Sequence, residues 1–193
     1  MGRVIDIHTH HPTDDVITPS TVGIHPWDAA TRMVAEIEPL AVDADVIGEI
    51  GLDATCNVDI EQQFAIFREQ LALAEQFDKP VVLHCVRTFE QVMKTLSGYH
   101  LRAVIFHGFI GSPEQAKRAV ERGYFLSFGE RTFRSPKTIE AMMQTPLSQI
   151  FVETDESPTP IEEIYDRIAL LRGISVTDLI ATTEDNFNRI FNS

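Results

Sequence analysis

Seven short apolar runs punctuate this chain, at residues 4–7, 22–24, 46–50, 81–83, 103–106, 124–128 and 150–152. The runs carry apolar residues on both faces, as expected for a parallel sheet covered by helices. The stretches between them supply the helices. Asp59 and Gln62 form a capping-box pattern ahead of Phe64, Phe67, Leu71 and Ala74, which share one helical face. Ser112-Pro113 with Gln115 opens another helix, which Gly123 ends, and Ser135-Pro136 opens a third. A fourth spans residues 161–171 ahead of Gly173, and Ser175 caps a last one running to about Phe191. Strand-helix alternation of this kind means α/β, either a barrel or a doubly wound sheet.

One interval is too short for that rhythm. Residues 11–21, with Pro12 and Pro19 among them, cannot hold a helix-containing crossover and an extra strand. About ten extended residues at roughly 3.3 Å each can still run back along a strand. The expectation is therefore seven strands in one domain, residues 1–193, with 11–21 crossing back as an extended loop. The length also falls short of the roughly 250 residues of an eight-stranded barrel. Pro39, Pro146 and Pro158 read as loop punctuation and not as domain linkers.

Charge narrows the function classes. Twenty-nine acidic residues against sixteen basic ones give a net charge of -13, which disfavours binding to duplex nucleic acid or an anionic membrane through a broad basic surface. Two cysteines, Cys56 and Cys85, are too few for a disulfide scaffold or a Cys-rich zinc site. No apolar run is long enough to span a membrane, and the first residues do not resemble a signal peptide. A cytoplasmic monomer with no membrane partner is expected.

Chemistry-bearing side chains stand where the apolar runs stop. In "VIDIHTHH", His8 and His10 are two apart and point to one face of a strand, together with Asp6. A lone His-x-His is weak evidence, but the pattern recurs: Glu49 late in "VIGEIGLD", His84 closing "KPVVLH", His107 closing "AVIFHG" and Asp155 closing "IFVETD". In a parallel barrel all carboxyl strand ends meet on one face. Six ligands then converge, too many for one catalytic zinc with an open position. Two divalent ions bridged by a carboxylate use them naturally. Imidazole with carboxylate suits zinc, manganese, iron or nickel, and magnesium prefers more oxygen.

The motifs "DIHTH", "GIHPWDA", "GEIGLD", "VVLH", "FHGF" and "VETD", closed by "TTEDNFNRIF", resemble in order those of TatD-type metal-dependent hydrolases. The resemblance covers nearly the whole chain. It implies a TIM-barrel-like hydrolase fold, here shortened to about seven parallel strands with surrounding helices. It further implies a metal-dependent phosphodiesterase, with deoxyribonuclease activity attributed to several members. On that reading His8, His10 and Asp155 hold one metal, His84 and His107 the other, Glu49 bridges and His25 faces the substrate. Glu49 and Asp155 are the catalytic carboxylates, with Asp155 or a carboxylate beside it accepting the proton of the attacking water. The chain departs from the family pattern in three places. The first helix and second strand of the barrel are missing, Arg87 stands three residues after His84 instead of two, and "TDSP" has become "TDESP".

Other residues carry competing readings. Glu153 shares a face with Asp155 and suits an outer hydrogen-bond partner, or a buried ion pair. Arg131 and Arg134 can clamp a phosphate or simply be solvated. His100 precedes a strand and reads as surface, and Cys85 beside His84 faces away from it in a strand, against a nucleophilic role. The alternative functions are amide or lactone hydrolysis of the amidohydrolase type, a phosphoesterase of the polymerase-and-histidinol-phosphatase type, and a non-catalytic metal-binding protein. The first commonly uses a carboxylated lysine bridge, but Lys79 precedes its strand; the second usually carries "SDG" where this chain has "PTDD". A small phosphodiester or a nucleic-acid end, not an extended duplex, is the substrate that the charge favours.

Overall fold

The parallel strands expected from the apolar runs are present, six of them among the described residues. The computed structural model describes residues 2–192, which divide into two units, residues 19–106 and residues 2–18 with 107–192.

The unit of residues 19–106 holds β1 (Thr21–Val22), β2 (Val46–Asp53), β3 (Val81–Val86) and β4 (Val104–Phe106). They pair in chain order and all in parallel, with Thr21 opposite Val46, Ile47 opposite Val81 and Val81 opposite Val104. Ile47, Ile50, Leu52, Val81, Val82 and Leu83 are fully buried, as consecutive apolar positions require. Helices α1 (Glu38–Ala41), α2 (Ile60–Gln76) and α3 (Phe89–Leu96) belong to this unit. Asp59 caps α2 by accepting from the amides of Glu61 and Gln62, and Phe67, Leu71 and Ala74 form its buried face while Phe64 is half-buried. Pro39, expected in a loop, lies in the first turn of α1, where its missing N–H costs no hydrogen bond.

In the other unit β5 (Phe125–Phe128) pairs in parallel with β6 (Ile150–Val152). Helices α4 (Pro113–Glu121), α5 (Pro136–Gln144), α6 (Ile161–Arg172) and α7 (Val176–Phe191) begin and end where the sequence signals place them. Ser112 and Gln115 close a reciprocal capping box, Ser135 and Ser175 accept from the amides of Thr138 and Asp178, and Gly173 ends α6 in the left-handed conformation.

The expected first strand is the correction. Residues 4–7 make isolated bridges and not a ladder. On one side Ile17 returns in parallel, donating to the Val4 carbonyl and accepting from the Asp6 amide. On the other, Ile7 donates to Val152, and the next contact is Thr9 with Asp155. The pairing breaks between them because Asp155 turns into the left-handed region, at φ 55°. Residues 11–20 contain no helix and bring Ile17 back beside Ile5, the extended return that the short interval demanded.

Candidate metal centre

Each unit gathers histidines and carboxylates of its own. In residues 2–18 with 107–192, the backbone brings "DIHTH" to "VETD". The Asp155 amide donates to the His8 carbonyl, and the His10 amide donates to the Asp155 carbonyl, both at 3.0 Å. The Asp6 carboxylate grips Thr154, accepting from its amide at 3.0 Å and from its hydroxyl at 2.6 Å. Burial pushes Asp6 up, the two bonds from Thr154 pull it down, and the nearby Glu153 charge raises it again, leaving it at about 6. Tyr165, wholly buried on α6, donates to the Ile5 carbonyl and so fixes the segment from below.

Ligand atoms of His8, His107 and Asp155 consequently lie within 4.8 Å of one another. Asp155 Oδ1 stands 3.8 Å from His8 Nε2 and 3.6 Å from His10 Nε2. Two donors on one ion, with bonds of about 2.1 Å, stand roughly 3.0–3.4 Å apart. The observed separations are slightly wider, so small movements bring these atoms onto one cation. His107 Nδ1 lies 3.4 Å from Glu153 Oε1. Glu153 is 1% exposed, and its Oε2 has no hydrogen-bond partner among the described residues. A carboxylate buried in this way is costly without a compensating charge, which a cation held beside His107 would supply.

In residues 19–106, the second cluster joins His25, Glu49 and His84. His84 Nδ1 is 2.6 Å from Glu49 Oε1 and 3.2 Å from His25 Nε2, and Glu49 Oε1 is 3.5 Å from His25 Nε2. The other ring nitrogen of His84 faces Asp53 Oδ2 at 3.1 Å. A histidine held by a carboxylate on one nitrogen and turned to a donor cluster on the other is the usual arrangement of a metal-binding imidazole. Burial alone would raise Asp53, but bonds from Thr55, Trp27 and His84 outweigh it and hold the carboxyl well below its ordinary range.

Glu49 is mid-strand and not at its strand's end. β2 runs on to Asp53, and its pairing with β3 shifts register between Ile47 and Ile50, around Glu49. Gly51 permits the close approach that follows, since a Cβ there would meet the His84 carbonyl oxygen at 2.0 Å. Two glutamines on α2, both 1% exposed, pin the flanking backbone. Gln63 accepts from the Asp53 amide and donates to the Asp53 carbonyl. Gln70 does the same for Ile24, the residue before His25. Both were missed in the sequence. Their seven-residue spacing on the apolar face of α2 is the signal that would have found them.

The remaining candidates separate clearly. Arg131 and Arg134 line a cavity of about 240 Å³ with Gly129, Thr154, Asp155 and Ser157. Arg134 is bound to Glu130 at 2.7 Å, and hydrogen bonds from Ser157 first and Arg134 second lower Glu130 to about 2. Burial pushes the Cys85 thiol up to about 11, which removes it as a nucleophile near neutral pH. His100 is exposed. Within each unit taken by itself, His107 comes together with His8 and Asp155, and His25 with Glu49 and His84.

The family model described as TatD related DNase matches residues 8–192. The 3'-5' ssDNA/RNA exonuclease TatD of Erwinia tasmaniensis is 31% identical over 90% of this chain and 78% of its own length. The uncharacterized metal-dependent hydrolase YjjV of Escherichia coli is 33% identical over 74% of this chain and 59% of its own. The crystal structure of YjjV, a TatD homolog, superposes with a TM-score of 0.84 at 25% identity, covering 100% of this chain and 87% of that one. This chain belongs to the TatD related DNase family.

Proposed function

We propose that this chain is a metal-dependent phosphodiester hydrolase that acts on strand ends, short oligonucleotides or small phosphodiesters. The observation that carries the reading is His84, with Nδ1 turned to Glu49 and His25 and Nε2 held by Asp53. His8, His10, His107 and Asp155 would hold one divalent ion, and His84 with Glu49 would hold another. Zinc, manganese, iron and nickel suit these donors better than magnesium. Bound divalent ions lower the pKa of water toward neutrality and neutralise phosphoryl oxygens. Asp155, or a carboxylate beside it, would accept the proton of the attacking water. Asp53 and Glu153 hold the His84 and His107 rings in orientation. His25 meets the substrate beside Glu49. Arg131 contacts a phosphate directly, and Arg134 does so by exchanging Glu130 for it.

Phosphoryl chemistry is favoured over amide chemistry by Lys79. Its ammonium donates to the carbonyls of Val42 and Ala44, which leaves it no role as a carboxylated bridge. Charge sets the substrate size. Two divalent ions bring the formal charge from -13 only to about -9, too negative to neutralise many phosphates of a duplex. The names of the exonuclease relatives support an end-acting enzyme.

The test uses protein stripped with a chelator and reloaded with manganese or zinc. Cleavage of a dinucleotide, a short single strand and a long duplex is measured beside carboxyl-ester and amide panels. Metal-dependent cleavage of the first two, with the duplex and both panels poor, is the expected result. Preferred hydrolysis of an amide, or a duplex preference that falls steeply with salt, contradicts the proposal.

A further inference from the structure

Trp27 is the single tryptophan of the chain and is 60% exposed. An indole left this open is unusual unless something covers it in use. It is also held in place. Its Nε1–H donates to Asp53 Oδ2 at 2.8 Å, and its ring meets His25 edge to face with centroids 4.8 Å apart. Asp53, which fixes the indole, is the same 2% exposed carboxylate that faces His84. The aromatic surface is therefore rigid, solvent-facing and one side chain away from the candidate ligands.

We propose that Trp27 is a stacking platform for one nucleobase next to the scissile phosphodiester. The inference rests on the phosphodiester reading above and names the part of the substrate that this chain recognises. A chain with 16 basic and 29 acidic residues has few cations for phosphate contacts, so a surface that needs no positive charge adds affinity beyond the scissile phosphate. Stacking on an aromatic ring is such a contact, tolerant of base identity. Preorganisation strengthens it, because the hydrogen bond to Asp53 has already fixed the ring before a ligand arrives. One platform reads one base, which matches an enzyme that works on ends and short substrates.

With a single tryptophan, intrinsic fluorescence reports on Trp27 alone. Titration with deoxyadenosine monophosphate should quench it saturably, whereas deoxyribose 5-phosphate, with the same sugar and phosphate, should leave it unchanged. Turnover supplies the second readout: kcat/KM for a dinucleotide is compared with that for the same sugar-phosphate compound lacking bases. In Trp27→Ala the ratio of the two should fall roughly 5- to 100-fold, and Trp27→Phe should recover most of it. Equal quenching by both ligands, no quenching, or an unchanged ratio in Trp27→Ala overturns the proposal. Base-dependent quenching in a protein that cleaves no phosphodiester would retain the base site and remove only the phosphodiester reading.

Discussion

Glu49 shows how one side chain is fixed by several others. Its Oε1 stands 2.6 Å from His84 Nδ1 and 3.5 Å from His25 Nε2, and the pairing of β2 with β3 shifts register around it. Replacing it with alanine removes the only acidic donor of the second cluster as grouped above. Glu49→Ala should lower metal content and cut turnover by several orders of magnitude, because cation neutralisation at the reacting phosphate is lost with it. His100→Ala, at an exposed position, should leave both near wild type. Elemental analysis and steady-state kinetics on the two variants check this, and like behaviour of the pair would remove Glu49 from the site.

At the scale of elements, the parts of this molecule differ in how legible they are in the sequence. Helices α4, α5, α6 and α7 announce themselves because Ser caps, Pro at the first turn and Gly173 at the end are local chemistry. Helix α3 was not anticipated. Thr88 stands at its N-cap but donates its hydroxyl to the Leu52 carbonyl, so no cap bond marks the start. Residues 4–7 read as a strand because their apolar pattern is a strand's, whereas pairing depends on the distant Ile17, Val152 and Asp155. His8, His10, His84, His107 and Asp155 stand out in the sequence as side chains closing apolar runs, whereas Glu49 lies mid-strand and His25 enters through the family resemblance. Asp6 was legible only as a residue on the face of His8 and His10, and Gln63 and Gln70 only through their seven-residue spacing on α2, because the groups that Asp6 and Gln70 bind lie far away in the chain. Gln70 tests that difference. Gln70→Leu leaves the buried Ile24 amide and carbonyl without partners, at about 1–3 kcal/mol for each. A loss of roughly 2–5 kcal/mol in urea unfolding is expected, whereas Gln76→Leu, exposed on the same helix, should stay within about 0.5 kcal/mol. Equal stabilities would contradict the assigned role of α2 in holding His25.

For the molecule as a whole, acidic charge and metal binding are linked. A chain at -13 repels itself, and the carboxylates Asp6, Glu49, Asp53, Glu153 and Asp155 add buried or half-buried negative charge at the clusters. Divalent ions relieve both. None of the described helices is long and apolar enough to cross a membrane. If the two clusters are two metal sites, stoichiometry reveals it. Elemental analysis of protein purified without added metal, and again after loading and removal of excess ion, should give about two divalent ions per chain. His8→Ala and His84→Ala should each lose about one. A wild-type content of one ion per chain or less after loading, or variants that keep the wild-type content, would mean that the clusters are not two metal sites.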